Sequence, residues 1–194
     1  MRSEVLKYKE KYDNRYLELE KAEKTLEKER EKITKNNAEL TSLEENIKNG
    51  NKILGLSEVT GPGIIVRLQD NQSKNITGIF DLSKLIVHDL DVLSVVNELK
   101  NAGAEAISVN EQRIVPTTSI TCDGNVVKIN GEKVGTPFEI KAIGLPEQLA
   151  ALSRQGGYLS ILEDDRVETD LKKSNSITIP KYSGVIDFKY AKKK

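Results

Sequence analysis

The first fifty residues carry a seven-residue hydrophobic repeat on a background of Lys, Arg, Glu and Asp. The repeating apolar positions are Val5, Tyr12, Leu19, Leu26, Ile33, Leu40 and Ile47. A seven-residue period is typical of a helix whose apolar stripe favours a left-handed supercoil. Only one position per heptad is regularly apolar, whereas a strong coiled coil uses two. We predict a long amphipathic helix, a coiled-coil-like stalk, over residues 1–52. It would be about 75 Å long at 1.5 Å per residue.

This stalk has two interpretations. A helix so polar is marginal without a partner, so it can be a self- or hetero-associating stalk or spacer. Alternatively, it is a helix that frays in solution. The first interpretation is favoured.

Residues 53–194 change to short apolar segments separated by turn residues, which is the pattern of one compact domain. Gly61-Pro62-Gly63 is predicted to be a turn before a strand at 64–68. Residues 70–84 read as a polar loop, and 85–87 as a short buried segment. Asp89 is expected to cap a helix that continues to Asn101, with Gly103 after its end.

The second half of the domain begins with two hairpin signals. Asp123-Gly124 and Asn130-Gly131 are dipeptides favoured in two-residue hairpin loops, so they predict a three-stranded meander over 119–134. A strand at 137–143, a helix starting at Pro146 and a strand at 158–162 follow, with an extended segment at 176–180. The order predicts an α+β domain, specifically a ferredoxin-like split βαβ domain with an added β-hairpin.

Composition narrows the classes of function. Lys and Arg number 30 and Asp and Glu number 30, so no net charge attracts nucleic acid. Cys122 and His88 are single residues of their kind, which excludes an intrachain disulfide and a four-ligand zinc site. No segment approaches the ~20 apolar residues of a membrane span. We expect a soluble chain with no cofactor, no metal site and no nucleic-acid partner.

His88, Asp89 and Asp91 are the nearest approach to a catalytic or cation-binding group. A histidine beside a carboxylate can act as a base, but no nucleophile motif accompanies it. A calcium or magnesium site requires more oxygen ligands than these residues supply. The favoured interpretation is a histidine at a helix start with acidic residues in the first turn.

The densest polar constellation lies on the first predicted helix of the domain and the strands after it. Its central members are Asn97, Glu105, Asn110 and Arg113, and its neighbours are Glu98, Gln112, Thr117, Thr118 and Ser119. Arg113 could form charge-assisted pairs there. The group is either a ligand- or peptide-binding patch or a structural network that fixes the strand crossover, and the structural interpretation is favoured.

Residues 86–114 contain the run Asn97-Glu98-Leu99 followed by Ala102-Gly103-Ala104-Glu105-Ala106-Ile107, Asn110 and Arg113. This run, with Gly61-Pro62-Gly63 and residues 137–144, resembles the bacterial YlxW/YlxX family of uncharacterised proteins, sometimes labelled division initiation protein. The resemblance spans nearly all of residues 53–180. It implies a membrane helix and a coiled coil before this domain, a location on the extracytoplasmic face of the cell membrane, and a link to cell division. It provides no catalytic residues.

The expected function is therefore a non-enzymatic cell-envelope scaffold or interaction protein with protein partners and a self-associating stalk. It would contact a membrane only through a segment absent from this chain. The alternative is a small-ligand sensor or enzyme that uses the Asn97, Glu105, Asn110 and Arg113 patch.

Overall fold

The structure is a computed structural model, and it describes residues 2–34, 38–71, 85–165, 167–186 and 190. The chain divides into two compact units, Met1–Gly50 and Asn51–Lys194. The predicted boundary followed residue 52. The predicted polar loop at 70–84 lies mostly outside the described residues.

The described residues of the first unit form two helices, whereas one continuous helix was predicted. Helix α1 spans Arg2–Thr34, and helix α2 spans Ala38–Ile53. Thr34 Oγ1 donates a hydrogen bond to Glu44 Oε2 at 2.9 Å, which links the last turn of α1 to α2. The intervening sequence contains Asn36 and Asn37, and asparagine favours caps and turns over helix interiors. The seven-residue repeat continues from Ile33 on α1 to Leu40 on α2, so the repeat alone does not reveal that they belong to two helices.

Helix α2 folds back alongside the end of α1. The pKa of Lys48 is raised first by its hydrogen bond and charge interaction with Glu44, and then by the charges of Glu31 and Glu27 on α1. In one straight helix, Glu27 would lie about 30 Å from Lys48. A largely apolar cavity of about 290 Å³ lies between the two helices. Its lining includes the repeat residues Ile33, Leu40 and Ile47 with Leu43.

The second unit is built on a five-stranded antiparallel sheet in the order β3-β2-β7-β1-β8. The strands are β1 Val59–Gln69, β2 Ala106–Val109, β3 Gln112–Arg113, β7 Phe138–Ile143 and β8 Glu168–Ile179. Helix α3 (Asp89–Asn101) connects β1 to β2. Helix α4 (Pro146–Leu149), a 3₁₀ turn (Ala150–Ser153) and helix α5 (Tyr158–Asp164) connect β7 to β8. The predicted α+β class is confirmed.

The predicted meander forms a separate three-stranded sheet in the order β4-β5-β6. Its strands are β4 Ile120–Asp123, β5 Val126–Ile129 and β6 Glu132–Val134. Asn130-Gly131 forms the second loop as predicted, with positive φ at both residues. Both hairpins are present, but Asp123 pairs with Val126, so the first loop is Gly124-Asn125, one residue later than predicted, with positive φ at Gly124.

The main core lies between the helices and one face of the five-stranded sheet. The alternating residues Ile64, Val66 and Leu68 of β1 are completely buried. Helix α3 faces them with side chains at helical spacing, namely Val92, Val95, Val96 and Leu99. Every second residue of a strand points to the same face, and residues three or four apart lie on the same face of a helix. The buried side chains of β1 and α3 therefore meet in one hydrophobic layer between the sheet and the helix.

Gly61-Pro62-Gly63 is not the predicted turn but part of β1. The register of β1 with β8 shifts between Gly61 and Gly63, so the segment contains a β-bulge. A Cβ atom on Gly63 would lie 1.9 Å from the backbone oxygen of Ala142 on β7. The glycine is therefore explained by close approach of two strands, which mimics a turn signal in sequence.

Residues 158–162 were predicted to be a strand, and this prediction is wrong because they begin helix α5. Leu159 and Leu162 are buried three residues apart, which suits one face of a helix. Both carboxylate oxygens of Glu98 accept a hydrogen bond from the backbone N–H of Tyr158 at 3.1 Å. This tertiary partner satisfies a free amide at the helix start, and local sequence does not reveal it.

The start of α3 differs by one residue from the prediction that Asp89 is its cap. His88 is the N-cap, and Asp91 Oδ2 accepts a hydrogen bond from the His88 backbone N–H at 2.7 Å. Asp89 is the first helical residue and a first-turn acid. Pro146 occupies the first turn of α4, as predicted.

Candidate functional site

Arg113 is a buried charged residue at the centre of the predicted polar patch. It lies on β3 opposite Ser108 of β2, and only 4% of its surface is exposed. Its Nη1 donates to Ser57 O at 3.1 Å and to Pro180 O at 3.2 Å. Nη2 lies 3.5 Å from Lys52 O in the last turn of α2, at the limit of hydrogen bonding. The guanidinium thus contacts backbone carbonyls of residues that precede β1 and of a residue that follows β8.

These contacts hold together the segment that leads into β1 and the segment that leaves β8. A further backbone hydrogen bond, Tyr182 N–H to Gly55 O at 2.8 Å, joins the same two segments. Gly55 has a φ of +76°, and a Cβ there would lie 2.6 Å from Val115 Cγ1. The incoming chain therefore requires a glycine to pass Arg113. We call Arg113 and the carbonyls of Ser57 and Pro180 the arginine clamp.

The clamp keeps a positive charge out of water. Burial lowers the pKa of Arg113, because desolvation disfavours the charged form. Among the described residues, no carboxylate lies within ion-pair distance of its guanidinium. Backbone carbonyl oxygens offset the cost of burying this charge. The carbonyl of Lys52 lies at the negative end of the dipole of helix α2.

A cavity of about 530 Å³ opens beside the clamp. Glu105 and Arg113 both line it, so the structure brings these two predicted site residues together. The other lining residues combine charged, hydroxyl and apolar side chains: Lys52, Ile53, Glu58, Val59, Thr60, Ala106 and Ile143. Such a surface can accept a polar group of either charge, with apolar contacts around it.

Asn97 and Asn110 do not line this cavity. Asn97 is exposed on α3. Asn110 has a positive φ in the tight turn between β2 and β3, where asparagine is favoured. Its Nδ2 donates to Pro137 O at 3.1 Å, and its Oδ1 accepts from Glu139 N at 2.9 Å. The side chain of Asn110 therefore connects this turn to the start of β7.

Neighbours of the patch also have structural partners. Asn130 Nδ2 donates to Arg113 O at 2.9 Å, and Thr118 Oγ1 accepts from Val115 N at 2.8 Å. Glu98 binds the start of α5, as described above. Sequence reasoning missed the carbonyls of Ser57 and Pro180 because any residue type can supply a carbonyl. Gly55 is the one nearby sequence signal.

A second cavity of about 310 Å³ lies near the start of α3. Asp70, His88 and Cys122 line it. Asp89 Oδ2 accepts a hydrogen bond from Cys122 N at 2.8 Å. The pKa of Asp89 is lowered, first by the Cys122 thiol and then by the backbone amides of Cys122 and Leu90, although burial opposes this. Over the described ranges, no cluster of three potential metal-ligating His, Cys, Asp or Glu side chains occurs.

A helix that crosses a bilayer must be both long and predominantly apolar. Neither α1, α2 nor the shorter helices of the second unit combine the length and apolar character that a span requires.

The second unit, which contains the arginine clamp, is an α+β domain that follows a helical segment in the sequence. The family profile described as "Bacterial protein of unknown function (DUF881)" matches residues 46–192. The chain belongs to this family. The predicted resemblance to the YlxW/YlxX proteins is confirmed.

Two relatives from Bacillus subtilis are both described as UPF0749 proteins. YlxW is 34% identical over 125 residues, which cover 64% of this chain and 53% of YlxW. YlxX is 26% identical over 196 residues, which cover 99% of this chain and 81% of YlxX. The chain therefore spans about half the length of one curated relative and most of the other.

A solved structure has the same fold. The crystal structure of an uncharacterized conserved protein from Mycobacterium tuberculosis superposes with a TM-score of 0.62 at 21% identity. The superposition covers 77% of this chain and 99% of that one.

Proposed function

We propose that the chain is a non-enzymatic scaffold or interaction protein of the bacterial cell envelope, and that its helical unit associates with a second copy. The observation that carries this proposal is the exposed apolar stripe on α1. Tyr12, Leu19 and Leu26 are 64%, 55% and 52% exposed. Apolar side chains at a seven-residue period on one helix provide a continuous seam for another helix.

The charged residues of α1 do not account for association by themselves. The ion pairs Arg15–Glu18, Lys24–Glu20 and Lys32–Glu29 lie within the helix and are well exposed. Such pairs contribute only a few tenths of a kcal/mol each. Association through the helical unit therefore depends on burial of the stripe.

The experiment introduces charge into the stripe. Leu19→Glu with Leu26→Glu places two carboxylates in the proposed seam of the full-length chain. Leu17→Glu is the matched control, because Leu17 is 51% exposed on the same helix but lies off the stripe. We expect the parent and the control to sediment as the same associated species and the stripe variant to sediment as a smaller species, because contacts through the helical unit are lost. Equal sedimentation of all three proteins would contradict the proposal.

The link to the envelope and to cell division is supported by the family resemblance alone. It is tested by imaging the native protein with a fluorescent tag in its own dividing cells. A band at the septum that disappears when the stripe variant replaces the parent supports a division scaffold. Diffuse signal throughout the cytoplasm contradicts the envelope assignment.

We infer in addition that the second unit is a ferredoxin-like split βαβ domain with an inserted meander. Its support is the order β2-β7-β1-β8, with α3 after β1 and the second helical segment after β7. This is the alternation of strands and helices expected of a split βαβ unit.

A second candidate function is a small-ligand sensor or enzyme at the cavity beside Glu105 and Arg113. The observation that favours it is the volume of about 530 Å³ with a guanidinium and carboxylates in its wall. A thermal-shift screen of small anions and zwitterions tests it. Stabilisation of the parent but not of Glu105→Gln would support a ligand site.

A further inference from the structure

Strand β8 forms one complete edge of the five-stranded sheet. It is 12 residues long and pairs with β1, while the opposite edge is formed by β3, which has 2 residues. Within the described part of the chain, no other strand pairs with the outer side of β8. A long edge strand presents a row of amide and carbonyl groups that can pair with another strand.

A bulge divides this edge. The register with β1 shifts between the pairs Gly61↔Ile177 and Gly63↔Ser174. Ser174 Oγ bonds to the backbone O and N of Ser176, at 3.0 and 3.3 Å, and so closes the irregular part on itself. The uninterrupted part of the edge is the seven-residue segment 168–174, which pairs continuously with β1. We call it the regular edge segment.

The charges of the regular edge segment are complementary to themselves. Its first half contains Glu168 and Asp170, and its second half contains Lys172 and Lys173. Asp170 and Lys172 are exposed on the same face of the sheet, with their charged atoms 3.0 Å apart. Reversing this segment about Leu171 exchanges the positions of Asp170 and Lys172.

One antiparallel register uses this complementarity at Asp170 and Lys172. When a second copy is placed with Leu171 opposite Leu171, Asp170 of each copy faces Lys172 of the other. An antiparallel register shifted by two residues sets Asp170 opposite Asp170 and brings these like charges together, and a parallel in-register pairing brings like charges together at every charged position. Opposite charges directly across a strand pair are favourable and like charges are unfavourable.

We propose that a second copy of this chain docks on β8 by antiparallel strand addition centred on Leu171, which joins two five-stranded sheets into one. The contact has two-fold symmetry, because each pairing of residues i and j occurs twice. Backbone hydrogen bonds along the edge provide affinity, and the Asp170–Lys172 pairs fix direction and register. This surface is separate from the stripe on α1.

The first test is proximity crosslinking in the full-length chain. Lys172→Cys in a Cys122→Ser background places two thiols diagonally across the proposed contact, about 7–8 Å apart. Lys133→Cys on β6 is the control, with a side chain 64% exposed. A short bismaleimide should crosslink the position 172 variant rapidly and the position 133 variant slowly. Equal rates would overturn the proposal.

The second test exchanges the two charges, in a chain that also carries the stripe variant so that α1 does not contribute. Asp170→Lys places Lys opposite Lys172 twice and should weaken dimerisation about tenfold. Adding Lys172→Asp restores opposite charges and should return the dissociation constant close to its starting value. Asp164→Lys on exposed α5 controls for net charge.

Sedimentation velocity over a concentration series gives the dissociation constants. Loss of dimer in Asp170→Lys with recovery in the double variant supports the register. A double variant as weak as the single one, or a stripe-variant parent that remains monomeric at every concentration, overturns it. Crosslinking of position 172 to a different protein in cell extract, without self-crosslinking, would also overturn it in favour of a foreign strand.

Discussion

Replacing Arg113 with Met tests whether the arginine clamp stabilises the second unit or whether its buried charge destabilises that unit. Methionine keeps the apolar stem but removes the donors to Ser57 O and Pro180 O. A hydrogen bond to a charged group contributes about 1.5–3 kcal/mol, so two contribute about 3–6 kcal/mol. Removing the desolvated cation returns part of this. We expect a net loss of about 2–4 kcal/mol in the free energy of unfolding.

The assay is urea unfolding of the full-length chain, followed by hydrogen exchange at the Tyr182 amide. That amide reports the clamp locally, because it donates to Gly55 O beside Arg113. Arg67→Met is the matched control, since Arg67 is exposed on β1 and its loss should change stability by less than about 0.5 kcal/mol. Arg113→Lys should recover only part of the loss, because an ammonium lacks the planar fork.

The result that would refute this reasoning is equal or greater stability of Arg113→Met with unchanged protection of Tyr182. Buried ion pairs in some proteins behave in this way when replaced by apolar side chains. It would mean that the cost of burying the guanidinium exceeds the value of its carbonyl contacts. The cavity beside Glu105 would then become the better explanation for a buried arginine.

Two further predictions concern the framework. Gly63→Ala should destabilise the chain by more than about 3 kcal/mol or prevent folding, because its Cβ would lie 1.9 Å from Ala142 O; Gly135→Ala, with no atom within 4 Å, should be neutral in the same thermal melt. Asp89 has a lowered pKa in the folded state, so its contribution is complete above pH ~5 and is lost as pH falls through that lowered pKa. Urea titrations should therefore show Asp89→Asn less stable than the parent at pH 7 by about 1 kcal/mol. The gap should close towards pH 3, and a constant gap would contradict the assignment.

Local patterns predicted the parts of the fold that local chemistry determines. Gly124 and the pair Asn130-Gly131 favour hairpin loops through the positive φ that these residues tolerate, and both hairpins are present, the first loop one residue later than predicted. Helix α3 was predicted from the spacing of Val92, Val96 and Leu99, whose burial the structure confirms. In each case a few neighbouring residues contain all of the information.

The predictions that failed depend on distant partners. Tyr158 starts a helix whose first amide is satisfied by Glu98, sixty residues earlier in the chain. Gly63 is small because β7 approaches it, and a glycine beside a proline looks the same in sequence when it forms a turn. Helix α1 ends at Thr34 and helix α2 begins at Ala38, while the seven-residue repeat continues from one helix to the other.

Only part of the candidate site was predicted, because its other contacts also join residues that are far apart in the sequence. Arg113 was identified as the charged centre of the polar patch, and Glu105 lies in the same cavity wall. The partners of Arg113 are backbone carbonyls, which have no signature in sequence. Asn110 was placed in the patch because of its polarity, yet its amide connects a turn to β7.

The arginine clamp also has a mechanical consequence. Strand β1 begins at Val59 and β8 ends at Ile179, and these two residues pair with each other. A pulling force applied to the two ends of this unit would therefore separate β1 from β8 one residue pair at a time, beginning with Val59 and Ile179. Loading in this direction breaks bonds singly and requires less force than sliding two strands past each other. Arg113 lies where this opening would begin, so its hydrogen bonds to Ser57 O and Pro180 O would be among the first to break.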